Sequence, residues 1–125
     1  MAERVNAVAY GSDITSTTAT IAKNGTLSGV VNLNGYNKFT IIMPSAWTTA
    51  SITFQACDTP SGTFVNLLAE TGGEVTVSVA ANGVYPLTTS SASLSYLPYI
   101  KIRSGTAASP VQQTAERVIK IIMKA

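Results

Sequence analysis

The sequence predicts an all-β, single-domain fold: a jelly-roll-like β-sandwich of two sheets, with a small closed β-barrel as the alternative. Three observations predict it. Apolar and polar residues alternate along short runs, the period of a half-buried strand. Asn-Gly, Gly-Gly and proline-containing turns separate those runs at short intervals. No run of helical period extends beyond about two turns. The chain has 125 residues, and folding at that length buries roughly two-thirds of the unfolded surface. No break in composition divides it, so the expected organisation is an N-terminal arm over residues 1–12 and a sandwich domain over residues 13–125.

Each element has a local reason. Met1 to Ser12 shows weak periodicity and reads as the arm. Thr15 to Ala22 is a β-prone run of threonine and isoleucine, followed by the Asn24-Gly25 turn. Leu27 to Leu33 ends at Asn34-Gly35, and Lys38 to Met43 stops at Pro44. Pro44 to Ala50 is irregular and holds the one tryptophan, Trp47. Ser51 to Asp58 alternates, with Ile52, Phe54 and Ala56 on one face and Thr53, Gln55 and Cys57 on the other. In Asp58-Thr59-Pro60-Ser61-Gly62, proline fixes φ, glycine accepts positive φ and Asp bonds the backbone downstream. Thr63 to Leu68 should return as a hairpin partner, with Phe64 close in register to Phe54.

After Gly72-Gly73, Glu74 to Ala80 puts Val75, Val77 and Val79 on one face. Asn82-Gly83 turns into a short strand, Val84 to Leu87, and Thr88 to Ser95 is a serine- and threonine-rich crossover. Tyr99 to Arg103 sets Ile100 and Ile102 inward and Lys101 and Arg103 outward. After a loop over Ser104 to Pro110, the last strand, Glu116 to Met123, aligns Ile119, Ile121 and Met123. Val118 and Ile122 are apolar on its second face, the pattern of a strand covered on both sides.

Charged residues are only 11% of the chain, against about a quarter in ordinary domains. The net charge is +2, from eight Lys/Arg and six Asp/Glu, with no basic run. That excludes an electrostatic nucleic-acid footprint. Lys101, Arg103, Arg117, Lys120 and Lys124 read as solvated strand faces. There is no histidine, which removes histidine-assisted nucleophilic catalysis and the usual zinc sites. The acids Glu3, Asp13, Asp58, Glu70, Glu74 and Glu116 are scattered. Glu70 and Glu74 flank one turn and could oppose each other as a glycosidase requires, but two solvated hairpin-end charges are the simpler reading. Asp58 reads as a turn former, since no acidic cluster surrounds it to make a calcium site. No phosphate-cradling glycine loop occurs.

These residues therefore assign no catalytic group, metal ligand or cofactor, and the expectation is a protein that is not an enzyme. The single cysteine, Cys57, allows no intrachain disulfide and reads as a buried thiol. No apolar run reaches the roughly 18 residues that span a membrane, and Met1 to Gly11 lacks a secretory apolar region. The expectation is synthesis in the cytoplasm with no membrane partner. Trp47 and Tyr85 are the candidate ligand or partner contacts, as flat platforms on which a glycan would stack. The competing reading of Trp47 is a lid over one end of the sandwich.

Two segments carry a resemblance. The first runs from Phe39 to Gln55 and contains Met43-Pro44-Ser45-Ala46-Trp47-Thr48-Thr49-Ala50 and Ile52-Thr53-Phe54-Gln55. The second runs from Tyr99 to Gln113 and contains Ile100-Lys101-Ile102-Arg103-Ser104-Gly105-Thr106. With the Gly62-Thr63-Phe64 hairpin between them, they resemble small virion-associated structural proteins encoded by tailed bacteriophages and prophages. The likeness spans residues 27–123 and leaves the arm outside. It implies a virion component made in the host cytoplasm, with no catalytic signature to carry over. A capsid decoration (cement) protein is the preferred role. Its partners would be the major capsid protein and copies of itself, most simply as a trimer. A tail, baseplate or head-fibre component, or a carbohydrate-binding module for host attachment, are the alternatives. The composition agrees, because a hydroxyl- and amide-rich surface lacks the charge repulsion that keeps small proteins apart.

Overall fold

In the computed structural model, residues 14–87 and 94–125 are described. The expected arm, and the crossover over Thr88 to Ser95 apart from its last two residues, lie outside them. Among the described residues nine strands form: β1 (Ile14–Ile21), β2 (Val31–Asn32), β3 (Lys38–Ile42), β4 (Ile52–Cys57), β5 (Val65–Asn66), β6 (Thr76–Val77), β7 (Val84–Pro86), β8 (Tyr99–Ser104) and β9 (Arg117–Lys124).

The strands make two antiparallel sheets, ordered β1-β9-β3-β7 and β2-β8-β4-β5, with β6 pairing β4 beyond the end of β5. The pairings are nested. The first strand pairs the last, β2 pairs β8, β3 pairs β7, and β4 pairs β5 and β6. Successive pairs alternate between the two sheets, so the chain wraps as one long folded ribbon. That is the jelly roll, and the two sheets remain separate rather than closing into a barrel.

The sheets pack through their inward rows. Ile21, Ile119, Ile121, Met123, Phe39 and Ile41 of one sheet meet Val31, Ile100, Ile102, Ile52 and Phe54 of the other, and all are buried. Alternation on β9 makes the reason plain: Ile119, Ile121 and Met123 point in while Val118, Lys120, Ile122 and Lys124 point out. The Asn-Gly pairs behave differently: at Asn24-Gly25 and Asn82-Gly83 only the asparagine has positive φ and the glycine N–H closes the turn onto Ala22 O and Ala80 O, while Asn34-Gly35 forms the expected turn. At Asn34-Gly35 both residues have positive φ, 54° and 77°, and Tyr36 N donates to Leu33 O at 3.0 Å, the two-residue turn for which Asn-Gly is selected. This turn passes the chain from one sheet to the other and makes no hairpin.

Four expectations change. Leu67 N, not Phe64, bonds Phe54 O, because the register pairs Gln55 with Asn66 and Ala56 with Val65. Phe64 instead lies under the Lys101 ammonium, 4.7 Å from the ring centroid. Val118 is exposed, so β9 is not covered on both faces. Cys57 is half-buried rather than buried, at the margin of β4 where the turn begins. Arg103 is only 7% exposed and is no solvated strand face.

Candidate interaction surface

The two sheets differ on their outer faces. On the five-stranded sheet, Arg103 projects outward from β8 but is held down by its neighbours. Arg103 Nη1 donates to Glu74 Oε2 at 2.9 Å and to Thr53 Oγ1 at 3.3 Å, and Nη2 donates to Asn66 Oδ1 at 2.6 Å. Thr53 Oγ1 donates onward to Gly105 O at 2.7 Å, and Ala107 N donates to the Glu74 carboxylate. This network ties β4, β5, β8 and the loop after β8 together. It also separates the two acids that the sequence set on one turn. Glu74 is committed to Arg103, and Glu70 stands exposed. Among the described residues no group of three or more Cys, Asp and Glu converges.

The outer face of the four-stranded sheet is different. Its rows follow from the register. Ile14, Lys124 and Lys38 form one row; Ser16, Ile122, Thr40 and Pro86 the next; Thr18, Lys120, Ile42 and Val84 the third; Thr20 and Val118 the last. Ile14 is 53% exposed, Val84 58% and Val118 45%. The four strands contain no Asp or Glu. The face is therefore apolar and hydroxylated, with Lys38, Lys120 and Lys124 as its charges and no acid on these strands to neutralise them. A shallow depression at its β1 side is lined by Ile14, Ser16, Lys120 and Ile122. Exposed aliphatic side chains scattered singly are ordinary, whereas a contiguous patch marks an interaction surface.

A rigid loop end frames the sandwich. Gln113 is fully buried and uses every polar group it has. Its Nε2 donates to Thr48 O and Ser104 Oγ, and its Oε1 accepts from Thr48 N and Arg117 Nε. Its backbone pairs with Asn24 and Gly25. Three connections are thus fastened by one residue, through its side chain and its backbone together.

The two aromatic candidates belong to the scaffold. Trp47 is half-buried against the core, and its Nε1 donates to Ala50 O at 3.0 Å. Tyr85 on β7 is also half-buried, and its hydroxyl accepts from Ala80 N at 2.8 Å. Their loops do not merge into a common platform: Trp47 closes the β3–β4 connection, and Tyr85 lies opposite Ile41 within the sheet. The aromatic that stands out is Tyr96, 95% exposed and with φ of 68°. Its setting gave the sequence no signal for that exposure, since the apolar Leu94 two residues before it is buried. The buried Arg103–Glu74 pair left no signal either, because strand alternation by itself assigns Arg103 to water.

No protein-family model matches the sequence, and no curated protein matches it in sequence. Solved structures match in shape. The SPBc2 prophage-derived protein YomS superposes with a TM-score of 0.52 at 16% identity, over 90% of this chain and 95% of that one. A pilus protein of Bacillus endospore appendages gives 0.37 at 14% identity, over 89% and 88%. The Yersinia pseudotuberculosis-derived mitogen gives 0.37 at 12% identity, over 90% and 85%. The first likeness is one of fold; the other two add nothing to it.

Proposed function

We propose that this chain is a non-enzymatic structural protein of a tailed-phage virion, a decoration protein that binds the assembled head through the outer face of the β1-β9-β3-β7 sheet. The observation that carries the reading is that face: apolar and hydroxyl side chains around three lysines, with no carboxylate on its strands. A sheet face of this kind gains binding free energy from buried area, and its lysines select an acidic capsid surface. The continuous ladders of β1, β9 and β3 and the Gln113 hydrogen bonds to the connections at one end fix this face before binding, so little ordering cost opposes it. A prophage-derived protein of the same fold supports the phage setting.

The mechanism is linkage. A protein that binds the assembled capsid and not its separated subunits shifts the equilibrium toward the intact particle. Electron microscopy of particles carrying the chain tests the placement. Hundreds of copies on the head are expected, and tens confined to the tail would overturn it. A second reading, adhesion to glycans, has support at Tyr96 rather than at Trp47 or Tyr85. Loss of glycan binding on Tyr96→Ala would favour it.

A further inference from the structure

We propose that β1 is a pairing edge for a second copy of this chain, joining two four-stranded sheets into one continuous sheet about a two-fold axis at Ser16. This rests on the reading above and deepens it by naming the edge through which copies of the chain meet, with a two-fold contact in place of the expected three-fold one.

The direction of the β1 backbone follows from the ladder. Leu87 N donates to Phe39 O and Met43 N to Gly83 O, so odd-numbered residues of β3 turn toward β7 and even-numbered ones toward β9. The register then turns even residues of β9 toward β3 and odd ones toward β1. Odd residues of β1 therefore bond β9, and the N–H and C=O groups of Ile14, Ser16, Thr18 and Thr20 face away from the sheet. One bond agrees independently: Gly29 N donates to Thr20 O at 3.4 Å, which closes that end of the edge. Ile14, Ser16 and Thr18 have no such partner among the described residues.

Edge strands are normally blunted by charge, proline, bulges or shortness. The other sheet margins follow that rule. β2 and β5 are two residues long, and β7 is three and ends in Pro86. β1 has eight residues, no charge, no proline, and an unbroken register with β9. The absence of charge makes it compatible with itself. Thr20 is occupied, so among the described residues the outward groups left open are those of Ile14, Ser16 and Thr18, with Ser16 at their centre. A second copy placed antiparallel there pairs Ile14 with Thr18, Ser16 with Ser16 and Thr18 with Ile14. Each pair exchanges backbone hydrogen bonds, and Thr15 meets Thr17 on the inner side. A head-to-tail ring through β7 is disfavoured by that strand's length and by Pro86.

The test is sedimentation of the full chain and two variants. Ser16→Pro removes an N–H that faces away from β9, and Ser16→Lys sets two ammonium groups against each other at the axis. The wild-type chain should sediment as an assembly of even copy number. Either variant should halve the mass while keeping the wild-type far-ultraviolet circular dichroism. A wild-type monomer at micromolar concentration overturns the proposal, as does an unchanged mass in both variants. A halved Ser16→Pro species that still binds capsids would separate this contact from the capsid-binding face.

Discussion

Gln113 and Arg103 hold the loops and strands in place by different means. Gln113 is neutral and satisfied on all sides. Gln113→Leu keeps the volume but leaves Thr48 N and Ser104 Oγ short of partners in a dry setting, so a loss of about 2 kcal/mol is expected in urea unfolding. Arg103 is charged, and its partner Glu74 is largely withdrawn from water. Arg103→Met strands that carboxylate, and a loss of about 3 kcal/mol is expected. Adding Glu74→Leu should recover part of it, because the stranded charge goes too. A double variant no more stable than Arg103→Met would show that the pair's worth lies elsewhere.

At the scale of the element, β1 makes two neighbouring positions unequal. Ser16 presents its N–H away from β9, whereas Thr17 presents its own to the ladder opposite Ile121. Thr17→Pro should destabilise the fold by about 3 kcal/mol or more, as proline does inside a hydrogen-bonded element. Ser16→Pro should cost far less, measured on the monomer by thermal unfolding. Equal losses at both sites would contradict the assigned ladder direction. The outer-face lysines come from β3 and β9, so their effect is collective. Replacing Lys38, Lys120 and Lys124 together by glutamate should abolish capsid binding and leave circular dichroism unchanged. The wild-type affinity should fall as salt rises.

For the molecule as a whole, nesting sets the kinetics. β1 and β9 lie at opposite ends of the described chain, yet Ile14 pairs with Lys124. The loop closed by that pairing is nearly the whole domain, and its entropy must be met before the contact rewards it. Stopped-flow refolding should therefore run in milliseconds to seconds. Complete folding on the microsecond scale would be incompatible with this order of strands.

The strands and their inward residues were legible because alternation is a local signal: Ile119, Ile121 and Met123 declare one face with no knowledge of what covers it. Asn34-Gly35 declared its turn for the same reason, since asparagine and glycine both tolerate the positive φ that the turn needs. Which strand each run would meet was not legible. A turn fixes a reversal of direction but not the sheet that receives the chain, so Phe64 was placed beside Phe54 and Arg103 in water. Only the tertiary structure brought Glu74, Asn66 and Thr53 around Arg103. It also gathered Lys38, Lys120 and Lys124 on one sheet. Those outcomes depend on contacts between residues far apart in the chain, and they arise only when the two apolar sheet faces close on each other.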